Sequence, residues 1–272
     1  MPAELVHVSL AAGIAGALPL GPVDPAQQSA FVLGSVATDV NNLLGWTREE
    51  THFWPWPDEG NPSGAHVLLA RYPQLQAQQL APLERAFVAG YLCHLLTDEQ
   101  EILTLSRPYV TRLVGVASPE WREVRLATLI VVDAAVEASD PPRLQRGIGQ
   151  LRDALQLPLS DPLLPFLRLE DVRAWANLTL AVSHLPPGQP RVQPHRAQET
   201  PSPDLRARRA ALIEYVGRAI PPQAIAELMQ RAGSESLDFC AAYLDGGPLP
   251  VPRGTAPPPP AQAHRGVGGE AP

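Results

Sequence analysis

The chain contains no lysine, few cysteines and no strongly basic segment, and each shortage excludes a class of protein. Its 272 residues include 21 cationic side chains, all of them arginine, against 28 acidic ones, so the formal net charge is −7. Because there is no overall basic field to gather nucleic acid, we expect no nucleic-acid partner. This charge does not exclude a metal enzyme that acts on phosphate esters, since bound metal ions supply positive charge themselves.

The two cysteines and the apolar N-terminal stretch bear on where the protein works. Cys93 and Cys240 form neither a disulfide framework nor a zinc-knuckle spacing, so we expect two buried, reduced side chains. The apolar stretch from Val6 to Leu20 lacks the cationic start of a signal peptide and is too short to span a bilayer. The sequence therefore predicts a cytoplasmic protein with no transmembrane segment and no cleaved leader.

Apolar residues recur at the three- and four-residue spacing of helices along most of the chain, and alternating strand patterns are scarce. Predicted helices cover residues 5–17, 26–44, 64–71, 80–105, 119–138, 142–156, 168–183, 204–219 and 221–243. We therefore predict an all-α fold with a single multi-helix domain over residues 1–245. Proline and polar residues predict a long loop at 184–204, and the Pro/Gly-rich composition of residues 246–272 predicts a disordered tail.

One predicted helix carries a pair of residues that can bind metal. His94 and Asp98 are four apart in the stretch AFVAGYLCHLLTDE, so their side chains lie on the same helix face, one turn apart. His7 in the first helix, Asp39 after an apolar run and His52 in the segment THFW add imidazole and carboxylate groups, which zinc accepts. Taken singly, each residue also fits a satisfied core, helix-end or loop position.

In this order and spacing, the residues resemble the zinc-dependent phospholipase C family over roughly the first hundred positions. The resemblance implies an all-α hydrolase in which a metal-activated water attacks phosphorus. It implies that Asp39, His52, His94 and Asp98 hold one zinc ion, and that Asp98 bridges to a second ion also held by His7. A catalytic role for Asp39 in orienting the attacking water is implied too. We therefore expect two or more zinc ions and a phospholipid or soluble phosphate ester as substrate.

A further zinc site of the secreted family members has no equivalent here, because no histidine occurs between His94 and His184. Asp133 and Glu137, again four apart, are an alternative that would favour Mn²⁺ or Mg²⁺ over zinc, although an exposed, charged helix face explains the pair better. His66 is a further candidate ligand or proton donor.

Other functions remain open at this stage. A catalytically degenerate relative would bind metal for a structural or partner-binding role, and the missing zinc site favours it. A nucleotide phosphohydrolase is disfavoured because three residues separate His94 from Asp98. A membrane-surface binding protein is disfavoured because no basic amphipathic helix is present.

Overall fold

The computed structural model describes residues 4–18, 24–53, 62–114, 120–183, 203–252 and 254–255. Within these ranges the regular elements are helices, and Leu164 and Leu167 form an isolated bridge. The predicted all-α class is confirmed. The helices are α1 (Glu4–Ala15), α2 (Pro25–Ala37), α3 (Asn41–Leu44), α4 (Arg48–His52), α5 (Gly64–Arg71), α6 (Pro82–Glu101), α7 (Thr111–Leu113), α8 (Trp121–Ser139), α9 (Pro141–Ala154), α10 (Leu169–Ser183), α11 (Pro203–Ala219) and α12 (Pro222–Asp245).

Capping residues explain where several helices begin. The Asp24 side chain accepts a hydrogen bond from the Ala26 amide at 2.9 Å, and Pro25 occupies the first position of α2. Such a polar side chain satisfies an amide that has no partner within the helix. α4 begins with a reciprocal capping box between Thr47 and Glu50. In a helix of five residues, these capping bonds compensate for the few intrahelical ones.

Two helices differ from the sequence prediction. The predicted helix 26–44 is interrupted by a 3₁₀ turn at Thr38–Val40, which separates α2 from α3. The predicted helix 80–105 is an α-helix only to Glu101 and continues as a π-helix over Ile102–Val110. Pro108 lies in that segment and cannot donate the backbone hydrogen bond of a regular helix, which is consistent with the altered pattern.

The core is a single cluster of buried residues that runs from α1 to α12. α1 is buried on nearly all sides and packs against α2, α8, α9 and α12. α2 packs along α6, and α12 covers α6 from another side. Cys93 on α6 and Cys240 on α12 are buried free thiols at this contact, as predicted.

The α2–α6 contact requires glycine on both helices. A methyl group added at Gly34 would lie 2.0 Å from the carbonyl oxygen of Phe87, and one at Gly90 would lie 1.9 Å from that of Phe31. Carbon and oxygen atoms that are not bonded to each other do not approach so closely. The two backbones therefore meet only because neither glycine has a side chain. This close approach places the end of α2 beside the second half of α6.

Among the described residues, no helix combines the length and the apolar character needed to cross a membrane. The predicted loop falls almost entirely outside the described ranges, and α11 begins at Pro203. Of the predicted tail, residues 256–272 also lie outside them. Leu249 packs partly buried against the core, and Pro252 is buried.

Candidate metal centre

Four elements bring the predicted ligands together. His7 comes from α1, Asp39 from the 3₁₀ turn after α2, His52 from the last position of α4, and both His94 and Asp98 from α6. None of the five is more than 1% exposed. Two overlapping groups could each hold a metal ion: His7, Asp39 and His94 in one, and His52, His94 and Asp98 in the other. The arrangement joins residues up to 91 positions apart in sequence.

The imidazole and carboxylate atoms face one another across a small space. His7 Nε2 lies 3.4 Å from Asp98 Oδ1, and His52 Nε2 lies 3.3 Å from Asp98 Oδ2 and 3.4 Å from Asp39 Oδ1. His94 Nε2 lies 3.8 Å from Asp98 Oδ1 and 3.9 Å from Asp39 Oδ2. The rings of His7 and His94 are stacked, with centroids 3.7 Å apart.

Hydrogen bonds from neighbouring residues orient two of the rings. His94 Nδ1 lies 2.7 Å from the Ser35 carbonyl oxygen, and His52 Nδ1 lies 2.9 Å from the Thr51 hydroxyl. A carbonyl can only accept, so His94 Nδ1 carries the proton and its Nε2 presents a lone pair. Such outer hydrogen bonds fix the tautomer and orientation of metal-binding histidines.

Several of the converging atoms have no hydrogen-bond partner. They are buried, and they are His7 Nδ1 and Nε2, Asp39 Oδ1, His52 Nε2, His94 Nε2 and Asp98 Oδ1. Buried polar atoms without partners are rare and costly in folded proteins. A metal ion would satisfy one nitrogen of each ring together with the carboxylate oxygens. The donor set, three imidazoles and two carboxylates, fits a divalent metal.

Burial and charge hold His94 and Asp98 in the protonation states that metal binding needs. Burial, with His7 alongside, lowers the pKa of His94 to about 3, so this ring is neutral at neutral pH. Burial alone would raise the pKa of Asp98, but the Arg48 guanidinium, the electrostatic interaction with His94 and hydrogen bonds with His52 and His7 together hold that pKa well below its ordinary value. Neutral imidazole and ionised carboxylate are the forms that bind a metal ion.

Two charged residues beside the cluster were missed from the sequence. Arg48 Nη2 contacts Asp98 Oδ2, and Arg48 precedes His52 by four residues, a spacing that puts both on one side of α4. Glu99, next to Asp98, accepts hydrogen bonds from the Ser63 hydroxyl and the Gly64 amide. Burial raises the pKa of Glu99 to about 8. The i, i+4 spacing could have revealed Arg48, but no local pattern points to Glu99.

Other candidates lie apart from the cluster. Asp133 and Glu137 are both on α8, and neither belongs to a metal-capable group of the described residues. His66 is 7% exposed and stands edge-on to Phe239, and burial lowers its pKa. A cavity of about 590 Å³ lies between α12 and residues 250–252, and no cluster residue lines it.

Comparisons with protein-family models, with curated proteins and with solved structures find no match for this chain. The fold and the site therefore define its class by themselves. The chain is an all-α protein with a buried His/Asp centre that could hold a metal ion.

Proposed function

We propose that the protein is a zinc-dependent hydrolase of phosphoric esters, similar in mechanism to zinc-dependent phospholipase C. The observation that carries the proposal is the convergence of five buried His and Asp side chains whose facing atoms have no other partner. These are the residues that the family resemblance named, although they come from four separate elements. In an ordinary protein core, buried imidazole nitrogens have hydrogen-bond partners, so several unpartnered ones in one place indicate a missing ligand.

The donor atoms support zinc over harder ions. Three imidazole nitrogens lie in the cluster, and imidazole suits zinc, whereas Mn²⁺ and Mg²⁺ prefer carboxylate and carbonyl oxygens. When bound, such an ion lowers the pKa of a coordinated water and offsets charge on phosphoryl oxygens. Asp39 Oδ1 has no hydrogen-bond partner, so this carboxylate is available to accept a proton from water and to orient it.

The substrate class follows from charge. A phosphodiester is anionic, and the centre presents the Arg48 guanidinium in addition to any bound metal. The net charge of −7 disfavours a polyanion such as nucleic acid. We therefore propose a small phosphate ester or a phospholipid headgroup as the reacting group.

An inactive metal-binding role is the second candidate, and the burial of the ligands favours it. Structural zinc sites are closed by protein ligands, whereas catalytic sites keep one position open for water. Since all five ligands are at most 1% exposed, a closed structural site is consistent with the geometry. Activity, rather than metal binding alone, separates the two candidates.

The test begins with metal content, measured by elemental analysis of purified wild type, His94→Ala and Asp98→Ala. We expect at least one zinc per chain in wild type and loss of zinc from both variants. His66→Ala is the matched control, because His66 is also a buried histidine but stands outside the cluster. It should retain its metal.

Hydrolysis of bis(p-nitrophenyl) phosphate and of phosphatidylcholine vesicles by the zinc-loaded protein then tests the reaction. We expect turnover in wild type and in His66→Ala, and at least 100-fold less in the ligand variants. Zinc retained without hydrolysis of any phosphodiester would support the structural role instead. Wild type that binds no zinc after reconstitution would overturn both.

A further inference from the structure

Asp98 is already partly neutralised by a cation of the protein itself. The Arg48 guanidinium contacts Asp98 Oδ2, the oxygen that also lies 3.3 Å from His52 Nε2. Its Nε and Nη1 groups are buried without partners, so Asp98 is the acid that this guanidinium pairs with. The Asp98 side chain is 2% exposed and that of Arg48 17%, so the pair is little screened by solvent.

The two metal-capable groups are not two independent sites. Both contain His94, and its Nδ1 is taken up by the Ser35 carbonyl. Only the single lone pair of His94 Nε2 remains, and one lone pair binds one ion. If that nitrogen binds an ion together with His7 and Asp39, the second group keeps only one nitrogen, from His52, and the oxygens of Asp98. One of those oxygens is already in contact with Arg48.

Charge balance points the same way. With neutral histidines, the ligand set carries two negative charges, from Asp39 and Asp98. One divalent ion neutralises them, and Arg48 leaves a surplus of one positive charge, which suits hydroxide or one anionic substrate group. Two divalent ions would leave a surplus of three positive charges at a site whose ligands are at most 1% exposed. Uncompensated buried charge is costly, so this state is disfavoured.

We infer that the centre binds a single divalent ion, and that the Arg48 guanidinium supplies beside Asp98 the positive charge that a second ion would otherwise provide. This inference rests on the proposed metal centre, and it departs from the two or more ions that the sequence resemblance predicts. It makes Arg48 a positioning residue, which holds one oxygen of Asp98 away from a second ion.

The experiment measures how many ions bind, which does not depend on activity. Wild type, Arg48→Ala and Arg48→Lys are saturated with zinc and analysed by native mass spectrometry. We expect one ion in wild type and in Arg48→Lys, which keeps the charge, and two in Arg48→Ala. Electron paramagnetic resonance of the Mn²⁺-loaded proteins adds a second readout, with an isolated ion in wild type and a coupled pair in Arg48→Ala.

Arg125→Ala is the matched control. Arg125 is also mostly buried, with 14% of its side chain exposed, but it lies on α8 and pairs at 2.8 Å with the buried carboxylate of Glu101, which is not one of the five candidate ligands. Its variant should still bind one ion. If Arg48→Ala does not fold, the wild-type stoichiometry decides the number of ions, and Arg48→Gln, which also removes the charge but keeps a longer polar side chain, takes its place as the test of Arg48.

Two ions in wild type would overturn the inference and leave the proposed hydrolase intact. One ion in both wild type and Arg48→Ala would also overturn it, because Arg48 would then not be what excludes a second ion. No bound ion in wild type would instead remove the metal centre on which both proposals rest.

Discussion

At the scale of single residues, the centre depends on side chains that bind no metal themselves. Thr51 accepts a hydrogen bond from His52 Nδ1, and its own hydroxyl lies 3.5 Å from the Arg48 carbonyl oxygen, to which it donates. Because His52 Nδ1 donates its hydrogen bond to Thr51, His52 Nε2 is the ring nitrogen with a free lone pair. Thr51 is fully buried, so water cannot replace it if its hydroxyl is lost.

Thr51→Val should therefore weaken metal binding without unfolding the protein. Valine keeps the shape of threonine but cannot hold the His52 tautomer, and losing such an outer partner typically costs about 10- to 100-fold in metal affinity. Competition titration against a chelator measures this change. Thr128→Val is the control, because Thr128 is equally buried and its hydroxyl donates only to the Val124 carbonyl. Equal affinities in both variants would contradict the role of Thr51.

The candidate ligands could be predicted from the sequence because each is a chemically distinctive residue at a recognisable spacing. His94 and Asp98 share a helix, and the family resemblance supplied the other three. The four-residue spacing to His52 is the one local sign of Arg48, and no local pattern points to Glu99. Their importance comes from contacts 50 and 35 to 36 residues away, with Asp98 and with Ser63 and Gly64, and only the folded chain creates them.

At the scale of elements, the distance between α2 and α6 controls the centre. The Ser35 carbonyl that holds His94 is on α2, and Asp39 follows the end of that helix. Both therefore move relative to α6 if the two helices separate. Gly34 and Gly90 permit the close contact, so a backbone feature with no metal-binding atom sets the geometry of the ligands.

Gly34→Ala should destabilise the fold and weaken metal binding together. Its methyl group would lie 2.0 Å from the Phe87 carbonyl oxygen, which forces the helices apart. Overpacking of this kind costs about 1–3 kcal/mol or more. Urea unfolding measures the free energy, and a chelator titration measures the metal affinity.

Gly149→Ala is the control for that substitution. Gly149 is also in a helix, α9, but an added methyl group there meets nothing within 4 Å. It should raise the free energy of unfolding by about 0.5–1 kcal/mol, because alanine favours the helix. Similar losses of stability in Gly34→Ala and Gly149→Ala would contradict the prediction that the α2–α6 contact requires glycine.

Helical periodicity predicted most elements because a long amphipathic or buried helix repeats its pattern several times. α4 has only five residues, which is too short for any period to show, so its helix was not predicted. The 3₁₀ turn at Thr38–Val40 was missed because the apolar residues continue through it in helical spacing. It is at these two irregular elements that Asp39 and His52 enter the site.

At the scale of the whole molecule, a metal ion would add a direct link between four elements that already meet through packing and through contacts such as the Arg48–Asp98 ion pair. Binding to the folded state alone stabilises it by about 2.7 kcal/mol when free metal is 100-fold above Kd. In a chain of this size, we expect removal of the metal with EDTA to lower the melting temperature by roughly 5–10 °C. Calorimetry before and after zinc is restored measures the shift.

The same comparison in His94→Ala provides the control. A variant that has lost the shared ligand should melt at one temperature whether or not EDTA or zinc is present. If EDTA does not change the melting temperature of the wild-type protein, no metal connects these elements. An EDTA effect that persists in His94→Ala would place the responsible ion elsewhere in the chain.

All five metal-capable residues lie between positions 7 and 98, whereas α8, α9 and α12, which pack on α1, follow them in the chain. A ribosome therefore delivers every coordinating side chain before it makes the helices that enclose them. During synthesis, the nascent chain would present an open set of candidate ligands that an ion could reach directly from solvent. Once α12 is in place, an ion would reach the same side chains only after a local opening of the fold, so the order of synthesis would favour metal binding before the protein is complete.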